Sequence, residues 1–189
     1  FMKSEHAIKP GKLIVLSGPG GVGKSTIAKK LRAAGDFWVS VSATTRQPRN
    51  NEVHGQDYYF VSDEEFTRMI NADEFLEWAE FAGNRYGTPQ EKVEQALLLG
   101  RNVLLEIEIA GAKQVKSHLP QSILVFLEPP TWEELVARLE GRGTDNPERR
   151  AERLQLAQEE LAAASFFDLV LINDQVDSVV GKLIELAHN

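Results

Sequence analysis

The sequence predicts an α/β fold, a parallel five-stranded sheet with helices on both faces. Three observations carry that prediction. Apolar, β-rich runs alternate with helical patterns along the chain. Most of those runs are nearly continuous in Val, Leu and Ile, as strands buried on both faces must be. A glycine-rich loop joins the first run to the first helical pattern, the layout of a ligand-binding strand–loop–helix unit.

The five core strands are expected at Lys12–Ser17, Phe37–Val41, Asn102–Ile107, Ser122–Leu127 and Asp168–Asn173. A helix over Ser25 to Ala34 follows the first of them. Ser62 with Glu65, Thr88 with Glu91 and Thr131 with Glu134 have the spacing of reciprocal helix caps, and Pro89 suits a first helical position. Gly35 and Gly100 stand where helix ends need a left-handed residue. Val179, Val180, Leu183, Ile184 and Ala187 recur at helical spacing and predict a closing helix over 177–189.

Two regions interrupt the alternation. Residues 42–87 read as a small mixed sheet with one helix, inserted after the second core strand. Residues 138–153 are rich in arginine and bounded by Gly141, Gly143 and Pro147, the pattern of a helical flap with flexible joints. The expected organisation is one domain over 1–189: a core (1–41, 88–131 and 159–189), the insertion 42–87 and a lid over 132–158.

Composition narrows the function. The 189 residues are 42% hydrophobic and 26% charged, ordinary for a folded domain. No run approaches the roughly 18 apolar residues of a membrane helix. A net charge of −7 argues against nucleic acid and anionic membranes as partners, but not against a small polyanion met by a few well-placed cations. The absence of cysteine excludes disulfides and thiolate metal sites and points to the cytoplasm. Phe1 ahead of Met2 suggests a natural start at Met2, with no signal peptide.

Gly18-Pro19-Gly20-Gly21-Val22-Gly23-Lys24-Ser25 matches the phosphate-binding pattern G-x-x-x-x-G-K-[ST] in full, and Thr26 continues the turn. Its glycines let backbone N–H groups point at phosphate oxygens, and the helix N-terminus adds positive potential. Lys24 is expected on the β- and γ-phosphates of a nucleotide and the Ser25 hydroxyl on Mg²⁺. Such a loop fixes the phosphoryl donor and leaves the acceptor open.

The acceptor is sought in Ser42-Ala43-Thr44-Thr45-Arg46-Gln47-Pro48-Arg49, where two guanidinium groups lie three residues apart. Guanidinium forks match phosphate oxygens two at a time. Tyr58 and Tyr86, in the same insertion, offer hydroxyls to that phosphate or serve as ordinary rim aromatics. Glu77 lies in Phe75-Leu76-Glu77-Trp78, a run suited to burial, and is either solvent-facing by strand alternation or held to accept hydrogen bonds. An ionised carboxylate only accepts, and guanine is the base whose edge offers two adjacent donors. Ser42 and Thr88 add hydroxyls, although Thr88 also suits a helix cap.

The segments GPGGVGKST, SVSATTRQPR, EVHGQDYYF, EFLEWAEFAGNRYGTP, RLEGRGT and VLINDQ together resemble the guanylate kinase family, in order and spacing, from about Gly11 to the last helix. That resemblance implies the P-loop nucleoside monophosphate kinase fold, with ATP as donor, GMP or dGMP as acceptor, and Mg²⁺. It implies acceptor-phosphate contacts for Arg46, Arg49, Tyr58 and Tyr86, and guanine contacts for Ser42, Glu77 and Thr88. It also implies donor and transition-state contacts for Lys24, Arg138, Arg142 and Arg153, and an adenine contact for Asn173. Glu106 and Glu108 stand where many members carry aspartates, and Ala43 replaces a serine or histidine seen in some relatives.

Arg138 and Arg142 are four apart on one expected helix and share a face, as a salt-bridged surface helix or as part of a closing lid. Glu106 and Glu108 are two apart near a strand's carboxyl end, where open α/β sheets bind ligands; the pair is tolerable with Mg²⁺ or an arginine between them, and the alternative for Glu108 is plain solvation. Two rival classes remain at this level, a phosphopeptide-binding module on the same fold and a kinase for another nucleotide. Homo-oligomerisation stays open.

Overall fold

The computed structural model describes residues 8–141 and 146–189. Along the chain run β1 (Leu13–Ser17), α1 (Lys24–Ala34), β2 (Trp38–Val39), β3 (Ala43–Thr44), β4 (Tyr59–Phe60), α2 (Asp63–Asn71), β5 (Phe75–Phe81) and β6 (Asn84–Pro89). Then follow α3 (Gln90–Leu98), β7 (Val103–Glu106), α4 (Ile109–His118), β8 (Ile123–Glu128), α5 (Trp132–Glu140), α6 (Pro147–Ala162), a 3₁₀ turn (Ala163–Phe166), β9 (Leu169–Ile172) and α7 (Val176–His188).

Every predicted core strand forms, and they pair in the order β2-β7-β1-β8-β9, all parallel. The second is shorter than predicted, because it lies at the sheet edge and pairs with β7 only through Trp38 and Val39. Alternation along β1 divides the core. Ile14 and Leu16 meet Ile27 and Leu31 of α1 and Val179 and Leu183 of α7. Leu13 and Val15 face the opposite layer, with Val93 of α3 and Val115 of α4. Central β1 therefore delivers the glycine-rich loop to the carboxyl edge of the sheet, where the chain switches from one side to the other.

The insertion forms the expected second sheet, ordered β4-β3-β6-β5. Its one helix, α2, seats Phe66 on Phe75, with ring centroids 4.5 Å apart. Strands β5 and β6 close a two-residue hairpin at Ala82 (φ 51°) and Gly83 (φ 80°), the doubly positive turn that suits strand twist.

Ser62 and Thr131 cap as predicted, each hydroxyl accepting 3.1 Å from the amide three residues on. Gly35 (φ 79°) and Gly100 (φ 78°) take the left-handed conformation. Thr88 departs from expectation. Helix α3 starts at Gln90 behind Pro89, and the Thr88 hydroxyl turns to a buried acid instead. Replacing Thr131 with Ala should cost about 1 kcal/mol of stability, measurable by urea unfolding, because an orphan N–H of α5 loses its acceptor.

Candidate functional site

The loop between β1 and α1 curls around its own backbone. Gly21 (φ 82°) and Gly23 (φ 104°) occupy the left-handed region, so the backbone turns there as only glycine does cheaply. A Cβ on Gly23 would also lie 2.8 Å from Asn173 Nδ2. Lys24 is buried and donates from Nζ to the Gly18 carbonyl at 2.7 Å. Ser25 and Thr26 stand exposed on the first turn of α1.

Two distant residues grip the buried Val22 by its carbonyl oxygen. Asn173, just past β9, donates from Nδ2 at 2.8 Å, and Arg138 of α5 donates from Nη1 at 3.1 Å. The Asn173 Oδ1 is buried without a hydrogen-bond partner among the described residues. Arg153 of α6 donates to the Leu139 carbonyl at 3.1 Å and ties α6 to α5. Arg142 lies outside the described residues.

A residue that the sequence reading passed over also meets the loop. The Glu160 carboxylate, on α6, comes close to the Gly20 amide and to Lys24. Burial raises its pKa, and the Lys24 charge opposes that rise.

Across the sheet edge lies a cavity of about 190 Å³ lined by Ser42, Arg46, Arg49, Tyr58, Glu77, Tyr86, Glu106 and Glu108, with Ala79, Phe81 and Ile107. Eight predicted site residues from β5, β6, β7 and three loops thus converge. A second cleft shares Ser42, Arg46, Arg49, Tyr58 and Glu106 and runs on to Ser25, so the cavity opens toward the first turn of α1.

Arg46 forms a two-point ion pair with Glu52, at 2.9 and 2.8 Å, and lies over the Tyr58 ring at 5.3 Å. Glu52 also accepts from the Arg49 amide at 2.8 Å. The Arg46 hydrogen bonds hold the Glu52 carboxyl down to about 2, and the same pair raises Arg46. Burial pushes the Tyr58 hydroxyl up to about 12. Glu52 escaped sequence reading because it sits in an irregular loop with no period to mark it.

Glu77 is buried, at 5% exposure, which decides between the two alternatives that the sequence left open. The fully buried Thr88 donates its hydroxyl to Glu77 Oε1 at 2.7 Å. Burial pushes Glu77 up to about 7; Thr88 opposes this and the Glu108 charge adds to it. Glu106, ending β7, is also raised by burial, against the pull of Lys24. Glu108 stands at the N-cap of α4.

Ser25 and Glu106 present a hydroxyl and a carboxylate to one cleft, donors of the hard oxygen type that Mg²⁺ takes. Among the described residues no group of three or more acidic or imidazole side chains is arranged to hold a metal alone. Mg²⁺ usually takes one or two protein ligands and completes its shell with phosphate and water.

The family model described as guanylate kinase matches residues 10–189. The chain belongs to the guanylate kinase family. It is 55% identical to a guanylate kinase of Thermobifida fusca over 179 residues, 94% of this chain and 91% of that one. It is 53% identical to one from Streptomyces coelicolor over 178 residues, 94% and 90% of the two chains. The crystal structure of guanylate kinase from Anaplasma phagocytophilum superposes with a TM-score of 0.79 at 32% identity, covering 95% of this chain and 86% of that one. The expected α/β kinase fold is the fold observed.

The Glu77 shift has a measurable consequence. An unfolded glutamate titrates near 4.5, and the folded group is raised to about 7. Its contribution to stability is therefore fully present below pH 4.5 and is lost as pH rises through about 7. The stability advantage of Glu77→Gln over the parent should grow by about 2–3 kcal/mol from pH ~5 to ~8. Urea unfolding at both pH values tests this, and an advantage independent of pH would contradict the shift.

Proposed function

We propose that this chain transfers the γ-phosphoryl group of ATP to GMP or dGMP, giving ADP and GDP or dGDP. The observation that carries the proposal is the cavity in which two arginines and two tyrosines stand opposite a buried carboxylate seated on a threonine hydroxyl.

The donor phosphates lie along the backbone amides of Gly18 to Gly23, with Thr26 at the end of the turn. Lys24 leaves the Gly18 carbonyl for the β- and γ-phosphates. Arg46 and Arg49, with the hydroxyls of Tyr58 and Tyr86, hold the acceptor phosphate. Glu77 accepts from the guanine ring N–H and exocyclic amine, and Ser42 and Thr88 supply hydroxyls beside it. Asn173 serves the adenine while its amide nitrogen supports the loop.

An acceptor phosphate oxygen attacks the γ-phosphorus as the bond to the ADP oxygen breaks. That oxygen is already ionised at neutral pH, so no general base is needed. The difficulty is the approach of two anions. Lys24, Arg138, Arg142 and Arg153 offset it with fixed positive charge, and lid closure keeps water from competing as acceptor. Ser25 would ligate Mg²⁺, with Glu106 and Glu108 toward its waters; the ion, when bound, screens charge between the donor phosphates. A cytoplasmic site of action belongs to the same proposal.

Lys24→Ala should lower kcat by at least about tenfold and leave GMP affinity near parental, since such a contact is worth several kcal/mol at the transition state. Steady-state kinetics with titration of GMP in the absence of ATP separates the two effects. Glu77→Gln should erase most of the preference for GMP over AMP in kcat/KM, because the amide turns one acceptor into a donor facing donors. A preference that survives that substitution would refute base reading by Glu77.

A further inference from the structure

Helix α4 carries a glycine where a helix gains nothing from one. Gly111 is the third residue of Ile109–His118 and is absent from the positive-φ residues, so its backbone needs no special freedom. Alanine would serve the helix better on propensity alone. What Gly111 supplies is space. A Cβ there would fall 2.3 Å from Glu77 Oε2 and 2.9 Å from its Cδ, closer than such atoms approach.

The same face of α4 holds the strand that carries Glu77. Gln114 clamps Trp78 twice: its Oε1 accepts from the Trp78 amide at 3.1 Å, and its Nε2 donates to the Trp78 carbonyl at 2.7 Å. One turn further, His118 Nδ1 lies 3.0 Å from the Leu76 carbonyl; a carbonyl only accepts, so that nitrogen donates. Gly111, Gln114 and His118 are three and four residues apart and share a face. Their partners are consecutive on β5: Glu77, Trp78 and Leu76. The helix thus takes the place of a further strand along the outer edge of β5.

We infer that Gly111 is a specificity-determining positioning residue, which admits the Glu77 carboxylate to the seat from which it reads guanine, and that Gln114 fixes the height of that seat. The inference rests on the proposed role of Glu77. The carboxylate is pinned on one oxygen by Thr88 and has the bare Cα of Gly111 behind the other, so its free lone pairs have one direction left, the cavity. A methyl group at position 111 displaces the acid rather than the helix, because α4 is anchored by Ala112 and Val115 in the core.

The test is a double-mutant cycle on the intact chain: parent, Gly111→Ala, Glu77→Gln and the double variant, each assayed with GMP or AMP varied at fixed ATP and with ATP varied at fixed GMP. Gly111→Ala should raise KM for GMP by at least about tenfold, the effect of losing one charge-assisted hydrogen bond. KM for ATP should stay parental, and the effect should vanish in the Glu77→Gln background. A merely structural role would instead persist in that background and spread to ATP. If Gly111→Ala keeps the parental preference while Glu77→Gln destroys it, the positioning role is wrong and base reading stands. If Glu77→Gln itself leaves the preference intact, base reading fails and takes the inference with it. Should Gly111→Ala fail to fold, Gln114→Leu decides: it removes both Trp78 bonds without a clash and should raise KM for GMP several-fold, parental values overturning the proposal.

Discussion

Taking a carboxylate out of water is expensive, and the position of Glu77 constrains everything packed around it. The acid cannot be placed and left; each face of it must be answered. Thr88 answers one oxygen, which is why that hydroxyl abandons the helix end its sequence suits. The strand shifts register between Phe75 and Glu77, and α4 presents its one bare position to the other oxygen. The inserted sheet and α4 of the core thus meet around this one buried acid.

The donor side shows a different economy. A loop of glycines has little side-chain packing of its own, so its shape is imposed from outside. The Val22 carbonyl is the handle, held from the end of β9 by Asn173 and from α5 by Arg138. Strand order makes this possible: β1 and β9 are both neighbours of β8, and all three end on the same edge.

Elements fixed by local chemistry were legible in the sequence, and elements fixed by distant partners were not. Continuous apolar runs located every core strand, and Gly18 to Ser25 located the phosphate loop. Thr88 shows how a local pattern can be outbid: its spacing to Glu91 is the same as in the two caps that formed, yet a buried acid claims its hydroxyl. Glu52 sits in the irregular stretch between β3 and β4, where no period marks a partner for Arg46. Glu160 reads as one more acid on a solvated helix until the fold brings it against Gly20. Gly111, between two alanines, looks like filler; its meaning lies in an atom 34 residues away in sequence.

The pairing of Arg46 with Glu52 bears on which anions gain anything from this cavity. Both side chains are largely shielded, at 16% and 15% exposure, so the guanidinium carries its own counterion within the fold. A passing chloride or inorganic phosphate meets an arginine already neutralised by a fixed neighbour and gains little by charge alone. The arginine's conformation is also settled before any ligand arrives, so less rotational freedom is lost on binding. A ligand that stays must do so by shape and by its other contacts as well. Among small phosphates, an internal counterion of this kind works as a filter against ligands that offer charge alone.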